Sequence, residues 1–133
     1  MSYSGIRTFH INEGTSPTIL LRIWGHDGAG ITQAGTSSID WACYEVDEDA
    51  EADETGTAIA SGTLDVSSTV FDTYQTDARW TEDTTGYNFL FAAPATIAPT
   101  GNTLYQVQFT FTPTTGGVIK SAIRLKTRPF WGE

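Results

Sequence analysis

The chain has 133 residues, enough for one domain with one hydrophobic core, and its 39% apolar and 17% charged content is that of a folded chain. A formal net charge of −9 argues against a nucleic-acid backbone or an anionic membrane surface as the main partner, because both would repel it. The single cysteine, Cys43, excludes an internal disulfide and any multi-cysteine zinc site.

Period-2 alternation over short runs, broken by clusters of Gly, Pro, Asn, Asp, Ser and Thr, is the dominant pattern. Residues 6–13 alternate Ile6, Thr8 and His10 with Arg7, Phe9 and Ile11. The stretch from Met1 to Asn12 lacks the basic and apolar regions of a secretory signal, which predicts synthesis in the cytoplasm without signal-peptide export. Pro17 opens a run over 18–24, where Ile19, Leu21 and Ile23 are expected to face the core. A Gly-rich loop follows at 25–30. In the run 39–46, Ile39, Trp41 and Cys43 share a face, which makes Trp41 a core tryptophan and Cys43 a small buried hydrophobe.

Beyond the acidic run 47–54, strands are expected at 57–66, 69–73 and 86–91, the last with Tyr87, Phe89 and Phe91 in phase. The clearest alternation lies in 104–112, with Tyr105, Val107, Phe109 and Phe111 on one face. Pro113 ends it and residues 114–117 supply a turn. Residues 118–127 then set Ile119, Ser121, Ile123 and Leu125 opposite Lys120, Ala122, Arg124 and Lys126, completing an antiparallel hairpin. No apolar pattern of helical period runs for three turns, and no apolar run reaches the roughly 20 residues that span a bilayer. About eight strands at this spacing predict an all-β antiparallel sandwich, one domain over 1–127, with a tail at 128–133 that leaves the sheet at Pro129.

The candidate chemistry is sparse. The acidic run 47–54 has the charge for a Ca²⁺ site, but Ala52 and Ala58 stand where an EF-hand needs its glycine and bidentate glutamate, so a solvated loop is the better reading. His26-Asp27 reads as part of a turn, because neighbouring residues seldom converge on one point. No nucleophile elbow, zinc helix or phosphate loop occurs, so no catalytic residue, metal ligand or cofactor is assigned. Trp24, near a strand end, and Trp80, in a polar stretch, are candidate contact residues, for a protein interface or, with Tyr74, for stacking a glycan.

Phe130 and Trp131 either fold back on the sheet or anchor in a neighbour. Lys120, Arg124 and Lys126 share a face of the last strand, which would meet the acidic run of another copy, or would guard an exposed sheet edge.

Two segments carry a resemblance. Residues 101–127, centred on Leu104-Tyr105-Gln106-Val107-Gln108-Phe109, look like the F–G hairpin of immunoglobulin-like domains. In that alignment Tyr105 takes the place of the family's tyrosine, Trp41 that of its core tryptophan, and Leu21 and Val107 the two cysteine positions. A jelly roll remains the alternative strand order. The segment from Val70 to Trp80, continued in Gly86-Tyr87-Asn88-Phe89, resembles small proteins of phage and prophage genomes. That resemblance implies a structural or adaptor protein of a virion, located there or in the host cytoplasm before assembly. Its partners would be other virion proteins or copies of itself, and it implies no catalytic residues. A carbohydrate-binding or adhesion module is the competing expectation.

Overall fold

Alternation sends every second side chain to the opposite face of a strand, so such runs must pair into sheets and bury their apolar sides together. The computed structural model describes residues 7–46, 58–94 and 96–128. Its strands are β1 (Arg7–Asn12), β2 (Thr18–Leu21), β3 (Thr36–Val46), β4 (Ala58–Leu64), β5 (Val70–Gln75), β6 (Tyr87–Ala92), β7 (Leu104–Pro113) and β8 (Ile119–Arg128). One helical turn, α1 (Val66–Thr69), joins β4 to β5, with the Ser68 and Thr69 hydroxyls donating to the Asp65 carbonyl.

The strands form two sheets, ordered β1-β8-β7-β3-β4 and β2-β6-β5. All pairings are antiparallel except β1 with β8, which run parallel from Arg7↔Ile123 to Asn12↔Arg128. This is the immunoglobulin-like order: β8, β7, β3 and β4 stand as strands G, F, C and C′, and β2, β6 and β5 as B, E and D. The jelly-roll alternative falls, since sheets of five and three strands in this order do not make its two Greek keys.

Two expectations about individual strands need correction. The run 18–24 is ladder-paired only to Leu21, because the Asn88 side chain takes over beyond it. Its Oδ1 accepts the Ile23 N–H at 2.7 Å and its Nδ2 donates to the Ile23 carbonyl at 2.9 Å. The last strand is not a sheet edge. From Ile123 onward β8 lies between β1 and β7, so Arg124 and Lys126 cannot be edge guards. β8 also continues one residue past Thr127, and the Arg128 carbonyl accepts the Glu13 N–H at 2.8 Å.

The core is built from rings. Phe89 and Phe91 on β6 meet Phe109 and Phe111 on β7 edge to face, with centroids 5.0–5.2 Å apart, and Trp41 tilts onto Phe91 at 5.4 Å. Such contacts align the positive ring edge with the negative face and add to the gain from burial. Leu21, Val107 and Cys43 belong to the same buried cluster. The Cys43 thiol donates to the Ile97 carbonyl at 3.2 Å, and burial pushes its pKa up to about 12, so it carries no thiolate near neutral pH. Opposite Trp41 on β4 stands Gly62, where a Cβ would come within 3.0 Å of the indole Nε1. Glycine there is what lets the large ring lie flat on the neighbouring strand.

Tyr105 takes the position that the resemblance assigns it. At the start of β7, two residues before Val107, its Oη accepts the Thr100 N–H at 3.1 Å and ties the preceding loop to the sheet. Tyr105→Phe leaves that amide unpaired and is expected to cost about 1–2 kcal/mol. Phe109→Ala, which removes a ring from the centre of the core, is expected to cost about 3–5 kcal/mol. Urea unfolding followed by tryptophan fluorescence measures both, and the reverse order would show that the loop tie outweighs the ring packing.

Candidate functional site

Three connections gather at one pole of the sandwich: the β2–β3 loop, the β5–β6 loop and the β7–β8 turn. Side chains hold them together. His26 Nε2 lies 2.9 Å from the Gly117 carbonyl, Arg22 pairs with Asp83, and Arg7 at the start of β1 pairs with Glu82 at 3.1 Å. With Asp77–Arg79 at 2.7 Å, all three ion pairs found among the described residues lie in or on the β5–β6 loop.

Arg22 is the centre of this pole. It follows the buried Leu21 and precedes the buried Ile23, so alternation turns it outward from the core. Both its terminal nitrogens donate to Asp83, Nη1 to Oδ1 at 3.1 Å and Nη2 to Oδ2 at 2.5 Å, and Nη1 also donates to the Gly86 carbonyl at 3.0 Å. Planar forks of this kind fix orientation as well as charge. Asp83 Oδ1 further accepts the Trp80 indole N–H at 3.1 Å and the backbone N–H groups of Thr85 at 3.0 Å and Gly86 at 3.1 Å. These donors, the Arg22 guanidinium first, hold the Asp83 carboxyl well below the usual carboxylate range, and Asp83 in turn raises the Arg22 pKa. Gly86 is required by the loop: its φ is +109°, and a Cβ would lie 2.2 Å from the Gln75 carbonyl oxygen.

Around this pair stand three aromatic rings. The guanidinium carbon lies 5.1 Å from the Trp24 centroid, 5.7 Å from Tyr74 and 5.9 Å from Trp80, within the range of cation–π attraction. Trp24 is 51% exposed and Tyr74 40%, so two large rings face solvent on a support that is itself hydrogen-bonded. Among the described residues, Arg22 Nε is buried without a hydrogen-bond partner. A groove of about 360 Å³ runs from Trp24 and Trp80 past Arg7 and Glu82 to Ser121 on β8.

A second groove, of about 380 Å³, lies between the β2–β3 loop and the β7–β8 turn, lined by His26, Asp27, Ile31, Thr32, Phe111 and Ile119 among others. A carbonyl can only accept, so in this arrangement His26 Nε2 is the donor to Gly117. Asp27 Oδ1 accepts the Ala29 N–H at 3.1 Å, which closes the turn expected for this loop. Among the described residues no group of three His, Cys, Asp or Glu side chains is placed to hold a metal ion, and no helix is long and apolar enough to cross a membrane.

Of the residues singled out in the sequence, Trp24 and Trp80 come together, with Tyr74, around an arginine that sequence reading did not assign. Lys120, Arg124 and Lys126 line the outer face of β8, where the Arg124 Nε donates to the buried Gln106 Oε1 at 2.9 Å. Phe130, Trp131 and the acidic run 47–54 lie outside the described residues. Compared with protein-family models, curated proteins and solved structures, the chain matches none.

The charged support has a pH signature. Asp77, lowered to about 2 by Arg79, and Asp83 both titrate below an unfolded aspartate, whose pKa is about 3.9. Their contribution to stability is complete above that value and is lost as pH falls through their lower native values. Asp83→Asn is therefore expected to lower stability at neutral pH and to flatten its fall below about pH 4. Urea unfolding at several acidic pH values tests this, and an unchanged acid limb would remove Asp83 from the account.

Proposed function

We propose that this protein is a structural or adaptor component of a phage-like particle, acting through protein–protein contacts made by its aromatic pole. The observation that carries the reading is the convergence of Trp24, Tyr74 and Trp80 on the Arg22–Asp83 pair. Tryptophan, tyrosine and arginine are the residues that most often dominate binding energy at interfaces. Here they are pre-oriented, so little rotamer entropy is lost when a partner covers them. Binding loops gathered at one end of a sandwich are also the usual arrangement of immunoglobulin-like recognition domains. The assignment to a phage-like particle rests on the resemblance of the segment from Val70 to Phe89 to phage and prophage proteins.

A second reading is favoured by the exposure of Trp24 beside a groove whose rim carries Arg7, Glu82 and Ser121. An open ring next to hydrogen-bonding groups suits a pyranose as well as a protein side chain.

The double substitution Trp24→Ala with Tyr74→Ala separates the readings. Both side chains belong to the surface and neither is part of the buried core cluster, so the variant is expected to keep the native β-sheet circular dichroism. The native protein is expected to co-sediment with phage-like particles of its host at a fixed stoichiometry, and the variant to be incorporated at least about tenfold less, the loss that 1.4 kcal/mol of contact energy produces. Absence of the native protein from such particles would sink the proposal. A saturable fluorescence shift with a glycan, abolished in the variant, would replace it with the second reading.

A further inference from the structure

A groove whose own hydrogen-bond donors are spent favours a ligand that brings donors with it. The second groove, between the β2–β3 loop and the β7–β8 turn, is of that kind. Its floor is apolar, made by Ile31, Phe111 and Ile119. Around that floor the donors turn inward. The Ala29 N–H goes to Asp27 Oδ1 at 3.1 Å, the Gly35 N–H to Thr32 Oγ1 at 3.1 Å, and the Thr36 hydroxyl to the Thr32 carbonyl at 2.8 Å. The Gly25 N–H goes to the Ala29 carbonyl at 2.8 Å, and His26 Nε2 to the Gly117 carbonyl at 2.9 Å.

Acceptor capacity remains. Asp27 uses one carboxylate oxygen in its turn, and among the described residues its Oδ2 has no hydrogen-bond partner and its charge no ion pair. Gly25 leaves the carboxylate its place, since a Cβ there would stand 3.2 Å from Asp27 Oδ1. Among the described residues no lysine or arginine lines the groove. The arginines of this pole are held elsewhere, Arg7 by Glu82, Arg22 by Asp83 and Arg79 by Asp77. Lys120 follows Ile119 in β8, and alternation turns it to the outer face of the sheet, away from the groove.

We propose that this groove receives a lysine or arginine side chain of a partner protein, with the aliphatic stem on the apolar floor and the cationic head on Asp27. Both side chains lay their methylenes along apolar surface while the head keeps polar company. Charge and hydrogen-bonding capacity select this occupant. An ammonium or guanidinium donates and never accepts, and here it meets a carboxylate in a chain of net charge −9. A carboxylate or phosphate would need donors that are already committed, and would face Asp27 as a like charge. A sugar brings ring and hydroxyl oxygens that need donors too. An apolar side chain would cover the Asp27 carboxylate without pairing it. Val118, 49% exposed on the adjoining turn, extends the apolar surface beyond the groove, which suits contact with a protein rather than a free amine. The groove is distinct from the rings around Arg22, and its occupancy does not depend on the particle that the protein serves.

The probe is N-acetyl-arginine amide, titrated into the full chain and followed by amide NMR shifts. Saturable binding in the millimolar range is expected, with shifts centred on residues 25–36 and 115–119. N-acetyl-citrulline amide has nearly the same stem and a neutral head, and methylguanidinium has the head with a single carbon. Each is expected to bind at least about tenfold more weakly. Asp27→Asn keeps the oxygen that accepts the Ala29 N–H and removes the charge, and is expected to weaken binding at least about tenfold. Asp40→Asn, on the outer face of β3, changes the net charge equally and is expected to leave the affinity as it is. Trp24→Ala with Tyr74→Ala is expected to bind the probe as the native chain does.

Should Asp27→Asn disturb the loop, the comparison of probes on the native chain decides. Equal binding of the citrulline probe, an unaffected Asp27→Asn chain, or shifts spread over the acidic residues at large overturns the proposal. Loss of binding in the double variant also overturns it, because the cation would then belong to the rings.

Discussion

Four phenylalanine rings shared between β6 and β7 fix how the two sheets face each other. Phe89 touches both Phe109 and Phe111, and Phe91 touches Phe109, all at the near-perpendicular angles that the ring quadrupole favours. β6 is the middle strand of the small sheet, and β7 is the middle strand of the large one. Contact between the two middle strands sets the spacing and offset of everything outside them. Without a disulfide between the sheets, this packing and the aliphatic residues around it must supply the cohesion that a covalent bridge gives in antibody domains.

The pole inherits its rigidity from that core. Asn88 sits between Phe89 and Tyr87 on β6 and uses both ends of its amide to hold Ile23, so the residue on each side of Ile23 is aimed by a central strand. Arg22 and Trp24 are those residues. The Asp83 loop then closes on Arg22 from the other side, anchored by Gly86, where only glycine fits. Charge and aromatic area are thus coupled: losing the carboxylate would loosen the guanidinium, and with it the support on which Trp24 and Tyr74 rest. A surface built in this way suits recognition, because its shape exists before any partner arrives.

The strands were legible because period 2 is a local property that each run displays by itself, most clearly Tyr105 to Phe111. The F–G-type hairpin was legible for the same reason, its turn being written in adjacent residues. The place of β1 was not: a parallel neighbour is reached by a long path, with no turn residues to announce it, so β8 read as an edge. Likewise Arg22 and Asp83 are 61 residues apart, and no spacing rule connects them. Two weak signals did exist. Arg22 is the lone charge in an apolar run, and Asp83-Thr84-Thr85-Gly86 has the aspartate and glycine of a tight turn. The short α1 turn is not legible because Ser, Thr and Val are poor helix formers, and it is wound by bonds to the Asp65 and Val66 carbonyls.

The parallel pairing of Arg7 with Ile123 has a kinetic side. β1 cannot dock until its neighbour, more than a hundred residues later, has left the ribosome, and contacts so distant in sequence make for slow folding. Until that moment Phe9 and Ile11 have nowhere to bury. The nascent chain therefore waits with its first strand loose, and the domain is completed by a late closure in which beginning and end zip together side by side.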